Sequence, residues 1–106
     1  MSAATLFAAL GEPTRLAILD ELADGERTVG ALVARAGVSQ PAVSQHLKVL
    51  RDADLVRMRP DAQRRLYSLE PAGFRLVEQW LESHRRAWAD RLDALEQYMD
   101  DNPEET

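Results

Sequence analysis

The chain has 106 residues, a formal net charge of −5 at pH 7 and no cysteine. This length suits one domain with a modest core and is too short for two, and the lack of cysteine excludes disulfides, thiolate metal ligands and cysteine nucleophiles. The sequence has no apolar run of about 18 residues and no secretory signal, so we expect a cytoplasmic protein with no membrane span.

Two short helices are predicted in the first quarter of the sequence. The first covers residues 2–10, and Gly11 ends it. The second covers residues 13–23 and starts with a proline, whose fixed φ suits the first turn of a helix. The Asp-Gly pair that follows is a turn signal and separates these helices from the next one.

The next two helices are separated by only a few residues. Thr28 can cap a third helix that ends at Gly37, and Ser39 can cap a fourth helix that ends near residue 53. Two helices joined by a turn of three or four residues that contains glycine form a helix-turn-helix unit. The sequence therefore predicts such a unit over residues 28–53.

The fourth helix has an apolar face and a polar face. Val43, Leu47 and Leu50 recur at i, i+4 and i+7 and form a narrow apolar stripe. The polar face is nearly uncharged and carries amides and a hydroxyl, which can read the hydrogen-bonding edges of base pairs. A solvated helix face would instead carry mostly Glu and Lys. The residues of the polar face are Gln40, Pro41, Ser44, Gln45 and Lys48.

Two short strands are predicted after the fourth helix. Residues 56–59 alternate apolar and basic side chains at the period of a strand, and residues 64–69 form the second strand. Residues 60–63 contain a proline and form the turn between them. The result is a β-hairpin over 56–69, called a wing because it directly follows the helix-turn-helix unit, with arginines at both shoulders of its tip.

A long helix is predicted over residues 71–100. Its apolar positions are three or four residues apart, which is the spacing of a helix that packs along another helix. This seam is longer than a monomer of this size needs to cover its own core, so we predict a dimer. The positions of the seam are Phe74, Val77, Leu81, His84, Trp88, Leu92, Leu95 and Met99.

Three blocks of the sequence resemble the ArsR-type winged helix-turn-helix repressors of bacteria and archaea. The blocks have the family's order and spacing and are Ala9–Leu19, Ser39–Arg51 followed by Leu55-Val56, and Arg64–Leu69. The resemblance implies one mainly α domain over 1–106 with a small β-hairpin. It also implies a homodimer whose first and last helices, 1–10 and 71–100, form the interface. The expected interface residues are Leu6, Phe7, Leu10, Leu81, His84, Trp88, Leu92, Leu95 and Met99.

Positive charge is concentrated in the middle of the chain. Residues 35–67 carry seven basic and three acidic side chains, a net charge of +4, whereas residues 1–34 carry −3 and residues 68–106 carry −6. Because screening weakens charge interactions beyond about 8–10 Å, this clustering matters more for a phosphate-binding face than the net charge does.

We predict that the fourth helix enters the major groove of double-stranded DNA. Amides there can pair with adenine, a hydroxyl can bond to either type of base pair, and a proline can touch a thymine methyl. Lysine and arginine would hold phosphates, which positions the protein without reading sequence. His46 is expected to be partly buried, with a DNA contact. The predicted DNA-binding residues are Ser39, Gln40, Pro41, Ser44, Gln45, His46, Lys48, Arg51, Arg59, Arg64 and Arg65.

Metal binding is the first alternative to consider, because the best-known branch of the ArsR family senses metals. The positions that match its thiolate site, 28–32, contain no cysteine. On the last helix His84 is the one histidine, with Glu78, Glu82 and Asp90 around it. We therefore predict no metal and no cofactor. A metal-responsive repressor with a site on the last helix remains an alternative.

Two other function classes compete with DNA binding. A winged-helix module could instead contact another protein, with its basic face against an acidic partner. An enzyme has little support, since the sequence has no nucleophile paired with a base and no phosphate-cradling glycine loop, and its two histidines lie on different elements. The sequence identifies neither an operator nor an effector.

Overall fold

The computed structural model describes residues 1–105, which form five α-helices, three β-strands and a final turn of 3₁₀-helix. No helix in this range has both the length and the apolar character needed to cross a membrane. The helices are α1 (Ala3–Leu10), α2 (Pro13–Ala23), α3 (Val29–Ala36), α4 (Gln40–Asp52) and α5 (Pro71–Asp101). The strands are β1 (Arg27–Thr28), β2 (Val56–Asp61) and β3 (Arg64–Leu69), and the 3₁₀ turn is Pro103–Glu105.

The helix ends follow the capping residues of the sequence. The Thr28 hydroxyl accepts a hydrogen bond of 3.2 Å from the first turn of α3, and the Ser39 hydroxyl accepts one of 3.3 Å from the first turn of α4. Each bond satisfies a backbone N–H that the helix itself leaves unpaired. Gly37 follows α3 with a φ of 70°, a left-handed conformation that suits glycine. These three predicted caps are confirmed.

The hydrophobic core lies between α1–α4 and the inner face of the sheet. The stripe of Val43, Leu47 and Leu50 is at most 1% exposed, which confirms the predicted inner face of α4. Leu6 is also fully buried in this core, so it has no surface left for a second molecule. Its assignment to a dimer interface is therefore wrong. Leu10 is half-buried against the same core.

The sheet has three antiparallel strands in the order β1-β3-β2, one more than predicted. β1 is only two residues long, too short to show the alternation by which strands are recognised. The turn of the wing is also shorter than the predicted 60–63, because only Ala62 and Gln63 lie between the strands. Pro60 belongs to β2, where it is tolerated because β2 is an edge strand.

Gly73 joins the start of α5 to the end of α4. Its N–H donates a 2.8 Å hydrogen bond to the carbonyl of Asp54. A Cβ at this position would lie 2.6 Å from that oxygen and 2.7 Å from the carbonyl oxygen of Ala53. Only glycine permits this approach, so the first turn of α5 is fixed against the rest of the chain.

The second half of α5 extends beyond the rest of the chain. Phe74 and Val77, which belong to the predicted seam, pack on the chain's own core. From residue 81 to residue 101, by contrast, every residue is exposed, and the molecule is 63 Å long but only 27 Å and 21 Å across. The large apolar side chains exposed in this part are Leu81, Trp88, Leu92, Leu95, Tyr98 and Met99.

Candidate nucleic-acid interface

The polar face of α4 and the β2–β3 hairpin, here called the wing, border an open groove of about 630 Å³. The groove gathers hydrogen-bonding and cationic side chains from three parts of the chain that are distant in sequence. From α4 it is lined by Gln40, Ser44, Lys48 and Arg51, from the wing by Gln63, Arg64, Arg65 and Tyr67, and from the start of α3 by Thr28, Val29 and Gly30.

The predicted base-reading residues are all exposed, but they differ in whether their side chains line the groove or are already engaged in hydrogen bonds. Gln40 and Ser44 line the groove, whereas Pro41 and Gln45 are exposed outside its lining. The Ser39 hydroxyl is engaged as the N-cap of α4. The predicted contacts of these residues with bases stay predictions.

Three of the predicted phosphate-binding cations already have carboxylate partners. Lys48 Nζ lies 3.1 Å from Asp52, and Arg64 Nη2 lies 2.7 Å from Asp61. Arg51 and Arg65 form no ion pair with any side chain of residues 1–104, and both line the groove. They are therefore the cations most readily available to an incoming phosphate.

Arg59 has the strongest of these pairings. Its guanidinium donates two hydrogen bonds, of 2.8 and 3.0 Å, to the carboxylate of Glu26, which precedes β1. Since β3 lies between β1 and β2, the arginine reaches across β3. The bonded guanidinium lowers the pKa of Glu26, and the carboxylate raises the pKa of Arg59. A DNA phosphate would have to compete with Glu26 for this arginine.

The strand register explains why the wing arginines differ. Tyr67 is buried on the inner face of the sheet, so Arg65, two residues away, points to the same side and faces the groove. Arg59 pairs with Leu66 in the register and lies on the outer face. The sequence pattern alone marked both as shoulders of the tip. Gln63, an amide in the turn itself, also lines the groove and was missed by the sequence analysis.

His46 is partly buried, as predicted, with 21% of its side chain exposed. Its ring lies away from the groove, close to Glu12 and Arg15 at the start of α2. A DNA contact by His46 stays a prediction. The structure instead places this side chain between the fourth helix and the first two.

The proposed interface residues of α1 and α5 include an exposed aromatic cluster. Phe7 packs edge-on against Trp80 with ring centroids 5.2 Å apart, and His84 stacks on Trp88 at 5.3 Å. Trp80 also contacts both His84 and Trp88. Trp80 was missed by the sequence analysis because Leu81 was assigned to that turn of the seam, although Trp80 also lies three residues after Val77 and four before His84. Phe7 and Trp88 each remain 38% exposed.

The surroundings of His84 bear on the metal-responsive alternative. His84 Nδ1 lies 2.9 Å from both the carbonyl oxygen of Trp80 and the hydroxyl of Ser83. Within residues 1–104, no three His, Asp or Glu side chains lie close enough together to hold a metal ion. The structure of the single chain therefore adds no support to a metal site on α5.

Comparison with known proteins gives matches over most of the chain. The family model described as bacterial regulatory protein, arsR family, matches residues 12–58. HTH-type transcriptional regulator Rv2034 of Mycobacterium tuberculosis is 43% identical over 98 residues, which cover 92% of this chain and 89% of that protein. The biofilm growth-associated repressor of Agrobacterium fabrum is 42% identical over 76 residues, 71% of this chain and 65% of that protein. A crystal structure of an ArsR family transcriptional regulator has a TM-score of 0.73 at 30% identity, covering 80% of this chain and 88% of that chain.

Proposed function

This chain belongs to the ArsR family of bacterial regulatory proteins, and from that premise we propose that it represses its own operon as a homodimer on a pseudo-palindromic operator. The family consists of DNA-binding transcriptional regulators rather than enzymes. A relative named as a repressor supports the direction of regulation. A protein that acts on the operator DNA of a bacterial cell works in the cytoplasm.

The observation that carries the proposal is the composition of the groove between α4 and the wing. Its α4 side presents an amide and a hydroxyl, Gln40 and Ser44, which suit base edges in the major groove. Its opposite side presents Arg65, and Arg51 lies at the end of α4. A phosphate backbone that runs along this groove would meet cations while the neighbouring bases meet α4. Backbone contacts then set the register in which the bases are read.

The exposed apolar surface supports the proposed dimer. Trp88, Leu92 and Leu95 are between 38% and 58% exposed, in the part of α5 from residue 81 to residue 101 where every residue is exposed. Pairing of regions 1–10 and 71–100 with a second copy would bury them and would relate the two helix-turn-helix units, 28–53, by a twofold axis. A twofold dimer binds two half-sites about one helical turn apart, roughly 34–36 Å.

A footprint on the promoter region of the chain's own gene tests the proposal. We expect protection of two inverted half-sites about one helical turn apart, and competition by scrambled DNA only at a large excess, since specific binding is typically at least about 10³-fold tighter. Equally tight binding of scrambled DNA at about 150 mM salt would contradict a specific operator. No duplex binding at all would favour the protein–protein alternative.

A further inference from the structure

His46 occupies an unusual place on α4. Its two neighbours in sequence lie on opposite sides of the helix, since Gln45 is exposed to solvent and Leu47 is buried in the core. The imidazole lies between these two sides, with 21% of the side chain exposed, and points to the junction of α1 and α2. It is therefore placed to act on the orientation of α4.

A cluster of three polar side chains meets at this junction. Arg15 Nη1 lies 3.4 Å from His46 Nδ1, and Glu12 Oε2 lies 3.7 Å from the same atom. Arg15 also donates through Nε to the carbonyl of Ala9 at 2.6 Å and through Nη2 to that of Ala8 at 3.0 Å. These carbonyls belong to the last turn of α1, where a cation is favoured.

Glu12 completes the cluster from the side of α2. Its carboxylate accepts a 2.8 Å hydrogen bond from the backbone N–H of Arg15, which caps α2. This bond is the main reason that the pKa of Glu12 is lowered, so the carboxylate stays charged beside His46. The cluster thus connects the end of α1, the start of α2 and the middle of α4.

The other contacts of α4 with the chain are mostly apolar. Val43, Leu47 and Leu50 hold the helix on the core, and apolar contacts of this kind are not directional. Hydrogen bonds and ion pairs have preferred distances and angles, so they can fix how far α4 is rotated about its axis. The cluster supplies that directional contact at one point of the helix.

We propose that Glu12, Arg15 and His46 form a positioning cluster that fixes the orientation of α4 relative to α1. The inference rests on the proposed function, in which α1 belongs to the dimer interface. Orientation relative to α1 is then orientation relative to the other recognition helix of the dimer. The cluster therefore determines which spacing between half-sites the dimer accepts.

The test measures binding to a series of duplexes that differ only in the number of base pairs between two half-sites. Wild-type protein should prefer one spacing sharply. We expect His46→Ala to lose about tenfold in affinity at that spacing and to change much less on duplexes one base pair longer or shorter, so that the preference flattens. Affinity for a single half-site should stay within about twofold in Glu12→Gln, because Glu12 belongs to the cluster but not to the predicted DNA-binding residues.

Two variants separate positioning from other effects. His46→Asn keeps a polar atom near the position of Nδ1 and should restore the sharp preference. Glu12→Gln keeps an acceptor for the Arg15 N–H but removes the charge beside His46, and it should flatten the preference in part. Should His46→Ala instead weaken binding by one factor at every spacing and on the half-site, His46 would be a DNA contact or a folding residue, and the proposal would be wrong.

The same series distinguishes the inference from the proposed function. A wild-type protein that binds every spacing equally would contradict the paired half-sites themselves, and with them the positioning cluster. A wild-type protein with a sharp preference that His46→Ala leaves unchanged would contradict the cluster alone. Unfolding midpoints of all four proteins, measured on the same samples, show whether the variants compared are equally folded.

Discussion

The first 80 residues, here called the head, and residues 81–101, the distal helix, handle their apolar side chains in opposite ways. All thirteen core residues lie in the head. In the distal helix every residue is exposed, although Trp88, Leu92 and Leu95 are as apolar as the side chains of the core. The head therefore folds around its own side chains, whereas the distal helix carries side chains that this chain cannot cover.

This difference in burial indicates that the head folds on its own, whereas the distal helix serves assembly with another molecule. Most helical stability in proteins comes from the packing of an apolar face, and the apolar side chains of the distal helix remain exposed. Full burial of a large apolar side chain is worth about 1.5–3 kcal/mol. The exposed row on the distal helix, together with the aromatic cluster at Phe7 and Trp80, thus favours a second copy as the missing cover.

The largest expected effect comes from breaking the distal helix. Leu92→Asp with Leu95→Asp should give monomers, because two charges would have to be buried in the interface. Operator affinity should fall by about 10² or more, as two linked half-sites become one. Sedimentation and a mobility shift on the same sample measure both changes, and the head should stay folded.

A matched control places the same charges on the other face of the helix. Gln79→Asp with Gln97→Asp lies opposite the row of Trp88, Leu92 and Leu95 on the helical wheel and should leave both dimer and affinity unchanged. A folded monomer of the first variant that still binds a full operator at wild-type affinity would refute both the interface and its coupling to DNA.

The next effect lies at the joint between the two regions. Gly73→Ala should destabilise the head by about 2–3 kcal/mol, because the new Cβ would meet backbone oxygens that no side-chain rotation can move. Urea unfolding measures it. Gly30→Ala, another helical glycine, has only Thr28 Oγ1 at 3.9 Å and should be neutral or slightly stabilising. Equal effects of the two variants would mean that the start of α5 is not fixed as described.

Sequence patterns predicted the elements of the head because each has its own local signal. Caps at Thr28, Gly37 and Ser39 and the stripe on α4 are local features, and the structure confirms them. The close approach at Gly73 could not be predicted, since it depends on a carbonyl nineteen residues earlier in the chain. Sequence marked it only as one more glycine in a helix.

The sequence predicted where the candidate site lies, but it did not predict which of its arginines form ion pairs. The polar face of α4 and the basic wing form one groove, as expected from a helix-turn-helix followed by a hairpin. Which arginine is free depends on the register of β2 and β3 and on Glu26, whose two bonds to Arg59 span thirty-three residues. Leu6 was misplaced for a similar reason, because the faces of a short apolar helix look alike until its neighbours are known.

If recognition of bases is a property of the head alone, it should persist in the monomeric variant that carries Leu92→Asp and Leu95→Asp. In the monomeric background, Gln45→Ala should relax preference at one base position of a half-site by about 1–3 kcal/mol. Arg65→Ala should weaken all duplexes alike and lower the salt slope by about one unit, as expected for a lost phosphate contact. Arg59→Ala, whose arginine is held by Glu26, should change the slope less. Uniform losses across sequences for Gln45→Ala would show that it does not read a base.

The smallest expected effect concerns the charge pair that braces the wing of the head. The two hydrogen bonds from Arg59 lower the pKa of Glu26, so the ionised carboxylate favours the folded state. Its contribution is fully present above the pKa of an unfolded glutamate, about 4.3, and is lost as the pH falls through the lower folded pKa. Glu26→Gln should therefore be less stable than its parent near pH 7, and the two should converge in acid.

Urea unfolding of the monomeric background between about pH 7 and about pH 3 makes this comparison without a contribution from the dimer. Glu82→Gln is the control from the distal helix, where Glu82 lies 3.6 Å from Arg85 and both side chains are more than two-thirds exposed. It should leave unfolding of the head unchanged at every pH, because that exposed pair belongs to the distal helix and not to the core of the head. A stability difference for Glu26→Gln that persists in acid would mean that the glutamate acts by packing rather than by its charge. An effect of Glu82→Gln on the head would mean that the head and the distal helix are not the independent regions that their burial indicates.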